Sequence, residues 1–253
     1  MLNTVSYDGP GDVPLLIAHG LFGSARNWNV IAKRLSQHVP VLAVDMRNHG
    51  FSFHDPVHTY LAMADDLAQV IAAHGGRAHV LGHSMGGKAA MVLALGQPEL
   101  VAQLVVVDIA PMAYAHSQLP MVDAMQAVDL STVVRRSDAD AQLSASVPEA
   151  ALRAFLLQSL DLGTTPAAWR LNLPALAAQM PDIMGFPDVS GRYVGPTSFI
   201  CGQHSDYVRP EHDATIRGLF PQVEFTEIAN AGHWVHAEAP EPFLTALVSK
   251  LRL

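Results

Sequence analysis

The sequence predicts an α/β protein: a mostly parallel sheet with helices on both faces, interrupted by an inserted helical segment. Three observations carry this. From Val13 to Leu95, short β-branched apolar runs alternate with longer helical patterns, the signature of parallel strands joined by crossover helices. Each run is apolar almost throughout, as expected when helices cover both faces of a sheet. Residues 113–191 then break the rhythm with Met121, Met125, Met180 and Met184, several prolines, helical patterns and no convincing strand.

In chain order, the predicted strands are Leu15–Ala18, Val41–Val44, Ala78–Leu81, Leu104–Val107, Ser198–Cys201 and Glu224–Ile228. Helical patterns fall at Trp28–Ser36, Tyr60–His74, Met85–Leu95, Glu211–Leu219 and Pro240–Leu251, the last opening with prolines where their missing N–H costs least. The division that follows is a core of residues 1–112 and 192–253 with a helical cap inserted at 113–191. Its four methionines suit an adaptable apolar wall, because thioethers repack around varied shapes.

A chain of 253 residues buries enough surface to be stable without disulfides, and its single cysteine, Cys201, has no partner within the chain. Fifteen Lys and Arg against 23 Asp and Glu give a net charge of −8 with no block of one sign, which argues against a nucleic-acid partner. Neither a signal-peptide pattern at Met1-Leu2-Asn3-Thr4 nor an apolar stretch of the roughly 18 residues a membrane span needs is present. These features predict a soluble cytoplasmic protein without a membrane span, a monomer or small homo-oligomer. None of the 13 histidines has the spacing of a metal site, so no metal is expected.

One junction resists a packing explanation. Gly82-His83-Ser84-Met85-Gly86 is a polar step between the apolar strand ending at Leu81 and a helix-forming run, Lys88-Ala89-Ala90-Met91-Val92-Leu93. Gly-x-Ser-x-Gly between strand and helix is a nucleophile elbow, a turn so tight that glycines must flank it, which lifts the serine hydroxyl above the sheet. The alternative is a plain turn in which Ser84 only caps the helix.

A serine nucleophile needs a base to take its proton and an acid to orient the base, in the order Ser, acid, His for this strand arrangement. His19, His49 and His83 precede or abut Ser84 and are out of order. His233, in Ala231-Gly232-His233-Trp234 after the last predicted strand, is the candidate base; His236 would point elsewhere. Two acids compete. Asp108 ends the apolar run Leu104–Val107, at the carboxyl end where open α/β sheets collect functional groups. Asp206 follows the next strand, the commoner location, but Ser205 occupies the place where spacing from Gly202 puts the acid, so Asp108 is favoured. The loop His19-Gly20-Leu21-Phe22 should supply one oxyanion donor, the N–H of Leu21 or alternatively Phe22, and the helix N-terminus the other, the N–H of Met85. Lys88 reads as a helix contact, Cys201 as a small buried hydrophobe, and Arg47-Asn48-His49 as a structural brace.

Taken together, His19–Ser24, Asp45–Gly50, Gly82–Lys88, Asp108–Pro111, Trp169–Asn172 and Ala231–His236 resemble the α/β-hydrolase superfamily, and within it the small bacterial YbfF-type esterases. The resemblance implies an α/β-hydrolase fold with an eight-stranded sheet, no cofactor, and hydrolysis of carboxylic or thioester acyl groups. It also implies Asp108 as the acid, with serine at position 205; Asp206 beside it departs from the pattern. The expected partner is a small-molecule acyl ester or thioester with a short- to medium-length apolar acyl chain. Acyl-CoA thioester hydrolysis is the near alternative, for which Arg135, Arg136 and Arg153 give no decision, and a slowly turning-over ligand receptor is the rival from another class.

Overall fold

Each apolar run found in the sequence forms a strand in the computed structural model, which describes residues 1–251. The order is β1 (Thr4–Tyr7), β2 (Leu15–Ala18), α1 (Asn29–Leu35), β3 (Val41–Val44), α2 (Tyr60–Ala73), β4 (Ala78–His83), α3 (Met85–Gly96) and β5 (Val101–Val107). The chain then leaves the sheet through α4 (Leu119–Gln126), α5 (Arg136–Leu143) and α6 (Ala150–Leu156), a short antiparallel pair β6 (Leu160–Asp161) and β7 (Ala168–Trp169), α7 (Leu173–Ala178) and α8 (Met180–Met184). It returns as β8 (Thr197–Gly202), α9 (Asp213–Leu219), β9 (Val223–Ile228), α10 (Val235–Glu238) and α11 (Pro240–Leu251).

The main sheet runs β1-β3-β2-β4-β5-β8-β9, with β1 antiparallel to β3 and every other pairing parallel. Among the described residues this sheet has seven strands where the resemblance implies eight. A single strand precedes β2, because the segment Asp8–Pro14, rich in glycine and proline, turns directly from β1 into β2 and provides no second antiparallel partner. Two-residue β6 and β7 correct the expectation that residues 113–191 hold no strand; they are too short to carry a period-two pattern.

Alternate side chains of the parallel strands enter two apolar layers. Leu16, Ala18, Val80, Leu104 and Val106 pack with α2, α3 and the helices of the inserted segment. Leu15, Ile17, Leu81, Val105 and Val107 pack with α1 and α11. This two-sided burial is why the strands read as continuous apolar runs. Among the described residues no helix is long and apolar enough to cross a membrane.

Candidate active site

The carboxyl end of the sheet gathers the candidate residues because three strands stop there: Ser84 follows β4, Asp108 follows β5, and His233 lies in the loop after β9. Ser84 sits at φ 52°, ψ −120°, a sparsely populated conformation, with its N–H bonded to Val107 O at 3.0 Å. The flanking glycines are required by contact. A Cβ on Gly82 would lie 2.2 Å from Gly86 O, and one on Gly86 would lie 2.4 Å from Ala18 O. The turn therefore closes only without side chains at these positions, and it carries Ser84 Oγ to 3.0 Å from His233 Nε2.

His233 Nδ1–H donates to Asp108 Oδ2 at 2.7 Å. Asp108 is fully buried at φ 54°; its Oδ1 accepts Gly202 N–H at 3.0 Å and its Oδ2 accepts Ser205 Oγ–H at 2.5 Å. Ser205, which displaced the acid from its commoner place, thus braces the acid that lies on the neighbouring strand. The side chain of Asp206 is 86% exposed, pairs with Arg209 at 3.5 Å and makes no bond to His233. Of the two acid candidates, Asp108 alone reaches His233.

Two contacts on His233, one to its ring and one to its main chain, gave no signal in the sequence. Tyr207 stacks on the His233 ring with centroids 4.1 Å apart, and His83 Nε2–H donates to the His233 carbonyl at 2.9 Å. Burial holds the His83 pKa well below the usual imidazole range, leaving one ring proton for that bond. His236 stacks on Trp28 at 4.1 Å, and burial pushes its pKa down to about 3.

Leu21 and Met85 line the same cavity as Ser84. Met85 opens α3, so its N–H has no acceptor inside the helix. Phe22, the alternative first donor, has its amide taken by His49 Nε2 at 3.2 Å.

The cavity measures about 320 Å³, and Tyr60, Ile109, Leu152, Phe155, Ile183 and Met184 give it an apolar wall. Of the four methionines expected to form that wall only Met184 does. Met125 and Met180 are buried in the core packing, and Met121 packs against the core's edge. Helical spacing marked an apolar face without saying which of two neighbours it met. The contact expected of Lys88 is made with the C-terminus of α8: Nζ donates to Met184 O at 3.1 Å and Gly185 O at 2.5 Å, 4.8 Å from the Tyr114 ring centroid. Burial pushes the Lys88 amine down to about 7. Cys201 is half-buried against the core, and burial raises its thiol pKa.

The family model of the α/β-hydrolase fold matches residues 13–240. The chain belongs to the α/β-hydrolase family. The sn-1-specific diacylglycerol lipase ABHD11 of Mus musculus is 44% identical to it, over 96% of this chain and 83% of the relative. Esterase YbfF of Escherichia coli is 39% identical over 92% of this chain and 91% of its own. A solved marine microorganism esterase superposes with a TM-score of 0.94 at 32% identity, covering 98% of both chains. Within the α/β hydrolases, then, the chain is a serine hydrolase acting on carboxylic esters.

Proposed function

We propose that Ser84 is the nucleophile of a carboxylesterase, His233 its general base and acid, and Asp108 the group that holds the imidazole. The observation that carries this reading is the continuous pair of bonds, Ser84 Oγ to His233 Nε2 at 3.0 Å and His233 Nδ1 to Asp108 Oδ2 at 2.7 Å. His233 takes the hydroxyl proton as Ser84 Oγ bonds to the ester carbonyl carbon, and the carbonyl electron pair moves onto oxygen. The N–H groups of Leu21 and Met85 stabilise that oxyanion, each worth on the order of 10²–10³ in rate. Collapse breaks the bond to the alkoxy group, which leaves with the proton from His233. Water then enters, loses its proton to His233, and releases the acid from the acyl-enzyme.

Residues 113–191 act in this reading as a cap, since Leu152, Phe155, Ile183 and Met184 close the cavity over the Ser84 side. Their apolar surface favours short- to medium-chain acyl groups. The thioester alternative draws no support from the arginines, because Arg136 and Arg153 are bonded to groups within the inserted segment, Arg135 pairs with Asp138, and none lines the cavity. A cytoplasmic setting accompanies the reading, on the ground of the lone Cys201.

The test is turnover of p-nitrophenyl esters of increasing chain length, together with a diacylglycerol of the kind named for the mouse relative. Ser84→Ala is expected to lose about 10⁴-fold or more in kcat. Activity retained in that variant, or a preference for charged acyl groups, contradicts the reading.

A further inference from the structure

Three histidines outside the triad are buried in one cluster beside Phe22 and Met85. The ring centroids of His19 and His49 are 5.1 Å apart, and those of His49 and His58 are 5.6 Å apart. Burial keeps all three below the usual imidazole range, His58 at about 4.

Their hydrogen bonds define which ring nitrogen carries each proton. Arg47 O accepts only, so His49 Nδ1 holds the proton for that 2.8 Å bond and its bare Nε2 receives Phe22 N–H at 3.2 Å. Asn48 Oδ1 accepts from Asp55 N–H at 2.7 Å and from Asn172 Nδ2 at 2.9 Å. That leaves Asn48 Nδ2 to donate to His58 Nδ1 at 3.1 Å, and His58 Nε2–H to donate to Met85 Sδ at 3.4 Å. His19 follows the same rule, with Nδ1–H on Gly20 O at 2.7 Å and Nε2 accepting Met46 N–H at 2.9 Å.

The His49 and His58 rings bear on the oxyanion donors. Phe22 sits at φ 64° in a turn closed by Gly23 N–H on Gly20 O at 3.0 Å, so anchoring its amide fixes the Leu21–Phe22 peptide inside that turn and restrains the adjacent Gly20–Leu21 peptide, which carries the Leu21 N–H. The bond from His58 to Met85 Sδ fixes the side chain of the residue that supplies the second amide. Resting on the reading of Ser84 as nucleophile, we propose that His49 and His58 are positioning residues of the oxyanion hole, His49 as the acceptor that sets the Leu21 amide and His58 as the donor that sets the Met85 amide.

Rings that merely fill space would be replaced as well by leucine as by glutamine. The test therefore compares His49→Leu with His49→Gln, whose amide oxygen can accept where Nε2 does, and His58→Leu with His58→Gln, whose amide nitrogen can donate. Three quantities are measured: kcat and KM on p-nitrophenyl butyrate, the inhibition constant of a trifluoromethyl ketone, and the melting temperature. The ketone adds Ser84 Oγ to its carbonyl carbon, places the resulting negative charge on oxygen in the hole, and gives the serine proton to His233. Each leucine variant is expected to lose about 10- to 100-fold in kcat with KM within about twofold, and to bind the ketone more weakly by the same factor. Each glutamine variant should recover to within about threefold of the parent.

Should a leucine variant fail to fold, His49→Asn, too short to reach Phe22, and Met85→Leu, which removes the sulfur acceptor, take its place with the same expected losses. A folded variant with unchanged kcat and ketone affinity overturns the proposal, as does a glutamine variant no better than leucine at equal melting temperature. Ser84→Ala run alongside separates the two readings. An inactive Ser84→Ala with unaffected histidine variants sinks only the positioning role, whereas an active one sinks the nucleophile assignment itself.

Discussion

Between Leu15 and Asp108 the backbone itself places the chemistry, whereas between residues 113 and 191 a few polar side chains decide where the chain lies. The elbow is set by parallel register, Gly82 opposite Val106 and Ala18 opposite Gly82, and by two glycines that touch main chain. The inserted segment is tied to the core by hydrogen bonds that include three of its carbonyls, one amide and the Asn172 side chain. Tyr60 OH donates to Ile183 O at 2.5 Å, Lys88 Nζ to the Met184 and Gly185 carbonyls, and Asn172 N–H to Asn48 O at 3.0 Å. The two regions should therefore respond differently to the same kind of substitution.

The largest contrast is between glycines. Gly82→Ala drives a Cβ into main chain and is expected to cost about 3 kcal/mol or more of stability, with activity falling at least about 100-fold. Gly163→Ala meets only the Asp161 side chain at 3.2 Å and should stay within about 0.5 kcal/mol. Urea unfolding with ester turnover checks both, and equal losses would erase the contrast.

Lys88→Met is expected to cost about 1–3 kcal/mol, because it removes the donor from two partly buried carbonyls of the inserted segment. The loss should depend on pH. The amine lies at about 7 in the folded protein against its ordinary 10.5, so between those values the unfolded chain holds a proton that the folded one lacks. Unfolding of the parent then becomes costlier as pH rises through this window, relative to Lys88→Met, and below about 7 that pH-dependent advantage is absent. A stability difference flat from pH 6 to 10 would show that the amine keeps its ordinary proton affinity and that the expected linkage is absent.

The smallest effect is expected at Asn172→Ala, which removes the bond to Asn48 Oδ1 and the side-chain cap of α7 for about 1 kcal/mol. A shift in chain-length preference larger than the shift in stability would indicate that this tie shapes the cavity as well as holding the segment.

The same contrast explains what was legible in the sequence. Strands buried on both faces leave apolar runs, so β2, β3, β4, β5 and β8 could be read with small errors at their ends, while β9, half-exposed, was found from its β-branched and aromatic residues. Strand β1 is a half-exposed edge of Thr4, Val5, Ser6 and Tyr7 and offers no such run. Ser84, Asp108 and His233 were readable because strand ends define them. Tyr207, His49 and His58 were not, since the partner each touches is brought close only by the fold: His233, Phe22 and Met85 respectively. The choice between Asp108 and Asp206 turned on one residue of spacing, and the left-handed backbone at Asp108, φ 54°, is a conformation that spacing does not report.

The most direct measurement is the rate of fluorophosphonate labelling, with the modified peptide located by mass, in the parent, Asp108→Asn and Asp206→Asn. A single adduct on Ser84 is expected, slowed by about 10³-fold or more in Asp108→Asn and unchanged in Asp206→Asn. An adduct on another residue, or slowing confined to Asp206→Asn, would contradict it.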